Sequence, residues 1–162
     1  MLWPNPHEHG RQYLAHVDAA TGAGEDSFTA AIGHVENGIA IVDAIYEGRP
    51  PFSPSATIAE LSGLLREYRL SSVTGDRFAK GFVSELFRDN RISYVESDES
   101  TSANYLQFLT VINSGRCLLL DNKRLVSQLA MLERRPSKTG ARDLVTHPHG
   151  AHDDVATSVA GW

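Results

Sequence analysis

The hydrophobic period of the chain changes once, and that change limits its fold more than any other feature. Up to Tyr46 the apolar residues come in short blocks, Tyr13–Asp18, Ser27–His34 and Ile39–Tyr46, the last rich in β-branched side chains. The turn residues Thr21-Gly-Ala-Gly24 separate the first two blocks, and Asn37-Gly38 separates the next two. Asn-Gly suits the left-handed positions of a tight hairpin, so the spacing predicts three antiparallel strands in a meander. From Pro54 the period becomes helical. Proline fits the first turn of a helix, and Ile58, Leu61, Leu65 and Tyr68 follow at helical spacing. Phe78, Phe82 and Leu86 mark a second helix. Leu106, Leu109 and Ile112 mark a third, stopped at Gly115, and Leu125, Leu129 and Leu132 a fourth. A last helix starts near Asp153, with Val155, Val159 and Trp162 on one face. Short strands are expected between these helices at Ser71–Asp76, Ile92–Val95 and Cys117–Leu120. Meander strands followed by strand–helix alternation predict an α/β fold: one mixed β-sheet, a three-strand meander plus parallel strands, flanked by helices.

A length of 162 residues suits one domain. Residues 1–12, with two prolines and two histidines, read as a linker or lead-in, and 13–162 as the domain. The last helix is still apolar where the chain stops, so a domain truncated at its C-terminus is expected. No stretch approaches the roughly 20 apolar residues of a membrane span, and the first residues lack a signal peptide's apolar region. The single Cys117 cannot form an internal disulfide and is expected to be an inert residue of an apolar strand. A net charge of −5, from 15 Lys and Arg against 20 Asp and Glu, argues against a protein that coats nucleic acid by bulk positive charge. The charge is uneven, however. Glu96-Ser-Asp-Glu99 is acidic, while Lys123, Arg124, Arg134, Arg135, Lys138 and Arg142 fall in one segment.

Three acidic positions stand out. Asp18 ends the first strand, Asp76 ends the fourth, and Asp153 and Asp154 open the final helix. Turn chemistry and helix N-capping would each account for one of them alone. Together they say more, because the element order resembles that of a ribonuclease H-like fold, in which the first strand lies beside the fourth and the last helix crosses their ends. Carboxylates meeting there form a donor set for magnesium, a hard cation that takes oxygen ligands. Two such ions about 4 Å apart can activate water and stabilise the leaving oxygen in phosphodiester cleavage. Asp18 would bridge the ions, Asp76 would complete one, and Asp153 or Asp154 the other. Without metal, the crowded acids would repel one another and their pKa values would rise. Glu25 and Asp26 are expected to be solvated turn acids, and Asp43 to face outward on its strand. His147, His149 and His152 have no cysteine partners for a structural zinc site, but His152 could orient the neighbouring carboxylates from a second shell.

Three segments carry a resemblance: Asp18-Ala-Ala-Thr-Gly-Ala-Gly-Glu-Asp-Ser-Phe-Thr29, Val73-Thr-Gly-Asp-Arg77 and His149-Gly-Ala-His-Asp-Asp-Val155. In this order they resemble the C-terminal nuclease domain of phage large terminase subunits, and Pro51-Phe-Ser-Pro54 and Asn113-Ser-Gly-Arg116 also fit. The resemblance implies a ribonuclease H-like fold and a divalent-metal-dependent endonuclease, using Mg2+ or Mn2+ as two ions. Its substrate would be double-stranded viral DNA, cut during genome packaging in the cytoplasm of a bacterial host. It implies Asp18, Asp76 and one or both of Asp153 and Asp154 as catalytic metal ligands. It also implies an ATPase motor, a portal and a small terminase subunit as partners, and no membrane. Two departures are plain: the chain has no G-x-x-x-x-G-K-[ST] loop, and Thr157 stands where related motifs often carry a further acid.

Arg77 and Lys80 follow Asp76 closely and could meet a phosphate near the metals; Arg134, Arg135, Lys138 and Arg142 flank a loop that could lie along a duplex. The same carboxylates would serve a Holliday-junction resolvase or a transposase-like nuclease. An actin-like ATPase would need a second domain, and a non-catalytic DNA-docking domain would not need all three acidic positions.

Overall fold

Asn37 and Gly38 turn the first hairpin with φ of 52° and 75°, the left-handed conformation that an Asn-Gly pair supplies. The computed structural model of the chain describes residues 5–77, 81–136 and 143–162. Strands β1 (Tyr13–Asp18), β2 (Phe28–Glu36) and β3 (Ile39–Gly48) form the expected antiparallel meander. Helix α1 (Pro54–Glu67), with Pro54 in its first turn, leads to β4 (Ser72–Gly75), and α2 (Phe82–Asp89) to β5 (Ser93–Glu96). Helix α3 (Thr101–Asn113) then leads to β6 (Cys117–Leu118) and α4 (Lys123–Met131). A small hairpin of β7 (Glu133–Arg135) and β8 (Leu144–Thr146) precedes α5 (Asp154–Gly161).

The main sheet has the order β5-β4-β1-β2-β3-β6, with β4 parallel to β1, β5 parallel to β4 and β6 parallel to β3. Each face buries its own core, because alternate residues of a strand point to opposite sides. Tyr13, Ala15, Val17, Phe28, Ala30 and Ile32 meet Ile58, Leu61 and Leu65 of α1 and Phe87 of α2 on one face. Ala31, Val42 and Ile45 meet Tyr105 and Phe108 of α3, Leu125 of α4, and Val155 and Val159 of α5 on the other. His16 and Asp18 therefore point to the α5 side. Among the described residues no helix is long and apolar enough to cross a membrane.

Four local expectations change. Asp43 does not face outward: it is 2% exposed and pairs with buried His34, Nδ1 to Oδ2 at 2.5 Å. The register shows why. Ile32 pairs with Ala44 and Gly33 with Val42, so Asp43 is the extra residue of a β-bulge, which breaks the period-two alternation. The third expected parallel strand shortens to Cys117–Leu118. The segment between Leu132 and Thr146, read as a basic loop, carries the β7–β8 hairpin. Finally, α2 begins at Phe82, and Phe78 lies outside the described residues.

From Asn5 the lead-in is tied to the sheet end opposite Asp18. Asn5 donates its backbone N–H to the Asp43 carbonyl at 2.8 Å and its side-chain amide to the Asp43 carboxylate at 3.2 Å. The Tyr68 hydroxyl donates to the Asn5 carbonyl.

Candidate metal centre

The parallel ladder between β1 and β4 builds the centre. His16 stands opposite Thr74 and Val17 opposite Gly75, so one further step sets Asp18 beside Asp76 at the C-terminal ends of adjacent strands. Adjacent strands lie about 4.8 Å apart, a spacing fixed by backbone hydrogen bonds.

Helix α5 closes the site from the side. Gly161, having no side chain, lies against the His16 ring; a Cβ there would overlap the imidazole. Burial lowers the His16 pKa to about 4, against the opposing pull of Asp76, so the ring is neutral near pH 7. The Thr74 hydroxyl donates to the Ala15 carbonyl at 3.2 Å and lies 2.8 Å from His16 Nδ1, which therefore carries the proton and donates to it. At the other end of α5, the Thr29 hydroxyl donates to the Asp154 carbonyl at 2.7 Å, and Gln128 Oε1 accepts the Ala156 N–H at 3.0 Å.

The two acids opening α5 have different surroundings. Asp154 is 4% exposed; its Oδ2 accepts the Ser27 backbone N–H at 2.8 Å and lies 3.3 Å from an Arg124 Nη2. Asp153 occupies the N-cap position, yet its carboxylate caps no helix N–H. It accepts from the Tyr105 hydroxyl at 3.2 Å instead. His147 Nδ1 lies 3.1 Å from Asp153 Oδ1, within ion-pair distance but without hydrogen-bond alignment.

Asp18 concentrates the electrostatic strain. Burial, then the carboxylates of Asp154, Asp153, Asp76 and Asp26 in that order, push its pKa well above the ordinary carboxylate range. Burial also raises Asp153, opposed by His147 and by the Tyr105 hydrogen bond. Three of the four acids singled out in the sequence thus bear on the fourth, Asp18. Among the described residues, the group whose ligand atoms lie close enough to share an ion is Asp26, His152 and Asp154, each offering an atom within 4.8 Å of the other two; Asp18, Asp76 and Asp153 are not in it. Asp26 is an exposed turn acid, as expected, but His152 Nδ1 pairs with it at 3.1 Å.

The basic residues are more dispersed. Arg77 is exposed and lines, with Asp76 and Ser97–Ser102, a cavity of about 610 Å³. Arg134 pairs with Asp143 at 2.5 Å and Arg135 with Glu133 at 3.0 Å, both on the surface of the hairpin. Lys80, Lys138 and Arg142 lie outside the described residues.

Several supporting groups left no signal in the sequence: Ser27, which contributes a backbone N–H; Arg124, one cation of a basic segment; and Tyr94 and Tyr105, which read as ordinary aromatic positions. The Tyr94 hydroxyl donates to the Asp76 carbonyl at 2.8 Å while its ring stacks on Phe87. Gly75 makes this possible, since a Cβ there would overlap the tyrosine hydroxyl. Gly75→Ala is expected to displace Tyr94 and destabilise the domain by about 1–3 kcal/mol, the usual cost of overpacking. Thermal unfolding checks this, and an unchanged midpoint would show that Tyr94 can leave Asp76 freely.

Nearly the whole chain superposes on solved nuclease domains. The large terminase nuclease from thermophilic phage G20c matches with a TM-score of 0.80, covering 97% of this chain and 83% of that one at 16% identity. The large terminase nuclease domain of Thermus phage P74-26 matches at 0.74, covering 98% and 88%, also at 16% identity. The HK97 bacteriophage large terminase matches at 0.71 and 13% identity, covering 99% of this chain but only 41% of that longer protein. The G20c nuclease has been solved with bound magnesium, cobalt and zinc. No protein-family model matches the chain, and no curated protein sequence does. The fold is therefore that of large terminase nucleases, with the ribonuclease H-like mixed sheet.

Proposed function

We propose that the chain is the nuclease domain of a phage large terminase subunit and cuts double-stranded DNA by divalent-metal-dependent hydrolysis. One observation carries this reading: within that fold, acids at the end of β4 and the start of α5 gather around Asp18 at the end of β1, a half-buried carboxyl whose pKa is raised by desolvation first and then by those acids. Carboxylates gathered at such cost form a donor set for a hard divalent cation. The side-chain oxygens here, with one imidazole at the edge, fit Mg2+ or Mn2+ and admit a borderline ion.

In this reading Asp18, Asp76 and Asp154 bind metal directly. Asp18 would be shared by two ions, and Asp153, engaged by Tyr105 and His147, would act from behind. Bound metal supplies an activated water and stabilises the leaving oxygen. The protein does the rest by positioning. The strand ladder holds Asp18 beside Asp76, the Ser27 N–H orients Asp154, and His152 pairs with Asp26 next to it. Arg77 and the hairpin cations Arg134 and Arg135, with Lys80, Lys138 and Arg142, would contact phosphates without reading sequence. An ATPase motor, portal and small subunit in the host cytoplasm would deliver the DNA, since the chain has no phosphate-binding loop of its own.

Cleavage of supercoiled plasmid tests the proposal. Nicking or linearisation is expected with Mg2+ or Mn2+, and none with chelator. Folded protein that cuts with neither metal would remove the nuclease reading. A strong preference for four-way junctions over linear duplex would move it to a junction resolvase.

A further inference from the structure

Arg124 is a fixed cation set against the acids. It sits in the first turn of α4, beside Asp154, and is one-third exposed. Its Nη1 lies 3.1 Å from Glu47 Oε1, and its Nη2 lies 3.3 Å from Asp154 Oδ2 and 3.5 Å from the Ser27 hydroxyl. Ser27 closes the ring by donating that hydroxyl to Glu47 Oε1 at 3.1 Å. Glu47 also receives Arg49, at 3.2 Å on its other oxygen. Both carboxylates are largely buried, and the guanidinium fork touches each with a separate nitrogen.

The frame does not need this charge to hold its shape. Asp154 is already oriented by the Ser27 N–H, and α4 is joined to α5 through Gln128 and the Ala156 N–H. What Arg124 adds is positive charge beside two crowded anions.

We propose that Arg124 is the resident counter-charge that lets Asp154 and Glu47 sit together before a divalent cation arrives, and that it thereby limits how tightly the centre holds metal. This rests on the metal-centre reading above. A fixed cation stabilises the acids without metal and repels an incoming ion. By linkage, whatever it contributes to the metal-free fold beyond the metal-bound one is subtracted from metal affinity. Arg124 acts by its charge on Asp154 and Glu47 and touches no reacting atom.

The test uses the full chain and Mn2+ alone, without DNA: binding by calorimetry or by the electron paramagnetic resonance of free Mn2+, and thermal unfolding with and without saturating Mn2+. Arg124→Gln is expected to bind Mn2+ on the order of tenfold more tightly, the effect of removing one charge a few ångströms from a divalent ion in a largely hydrated site. Its thermal midpoint should fall more without Mn2+ than with it, by about 3–5 °C for a chain of this length. Arg124→Lys keeps the charge and should bind nearly as the unsubstituted chain does. Glu47→Gln, which leaves Arg124 less compensated, should bind Mn2+ more weakly. Unchanged or weaker binding by Arg124→Gln, with parallel losses of stability, would overturn the proposal. If Arg124→Gln does not fold, unchanged or tighter binding by Glu47→Gln overturns it equally. Failure of the unsubstituted chain to bind Mn2+ would instead refute the metal-centre reading, and this inference with it.

Discussion

Asp18→Asn is expected to abolish cleavage and, in chelator, to make the protein more stable than the unsubstituted chain. The loss of activity should be about a thousandfold or more, the several kcal/mol of transition-state stabilisation that a lost metal ligand removes. The gain in stability follows from the raised pKa of Asp18, caused first by burial and then by the four carboxylates around it. A carboxyl whose folded pKa is raised binds its proton more tightly in the folded state than in the unfolded chain. It therefore carries no penalty below the unfolded value, near 3.9, and a growing one as pH rises toward the folded value. In chelator, the stability advantage of Asp18→Asn should be absent at pH 3.5 or so, grow above about pH 4 and level off once Asp18 is ionised in both states. Saturating Mg2+ should reverse the ranking, because only the unsubstituted chain can use it. Denaturant titrations across pH, with and without Mg2+, measure both signs. A variant less stable than the unsubstituted chain in chelator at pH 8 would contradict the strained-acid picture.

The second large effect separates two adjacent residues. Asp154→Asn should lower single-turnover cleavage by about a thousandfold and weaken Mn2+ binding, because a ligand charge is lost where the Ser27 N–H aims it. Asp153→Asn should cost only about tenfold, roughly 1.4 kcal/mol, because its carboxylate is engaged by Tyr105 and can still accept that hydrogen bond as an amide. Equal losses for the two substitutions would show that both bind metal directly. A larger loss for Asp153→Asn would exchange their roles.

How far the chain could be read from its sequence depended on whether a feature is local. The meander and the helices were legible because strand and helix periods repeat within a few residues, and Asn37-Gly38 states its own turn. The neighbouring placement of Asp18 and Asp76 followed from likening the strand order to a ribonuclease H-like sheet, and β1 and β4 do pair in parallel. Asp43 failed because a bulge is set by pairing with β2, which no period within β3 reveals. The β7–β8 hairpin failed because its strands are three residues each and charged, so they carry no alternation to detect. In the site, the acids were visible as residue types at element ends. Arg124 was not, since its partners Glu47, Ser27 and Asp154 come from three other segments. Nor could the sequence separate Asp153 from Asp154. The distinction comes from Tyr105 on one side and a backbone N–H on the other.

The contact between Gly161 and His16 has a consequence for how such a centre can wear or adapt. Two of its acids hang on one hydrogen-bonded ladder, whose pitch no side-chain exchange can easily alter. The third rides on a helix whose far end rests on the sheet at a bare glycine. Because a Cβ at position 161 would overlap the imidazole, a single methyl group there would act as a shim, pushing that end of the helix off the strands while the pair of acids on the ladder stays in place.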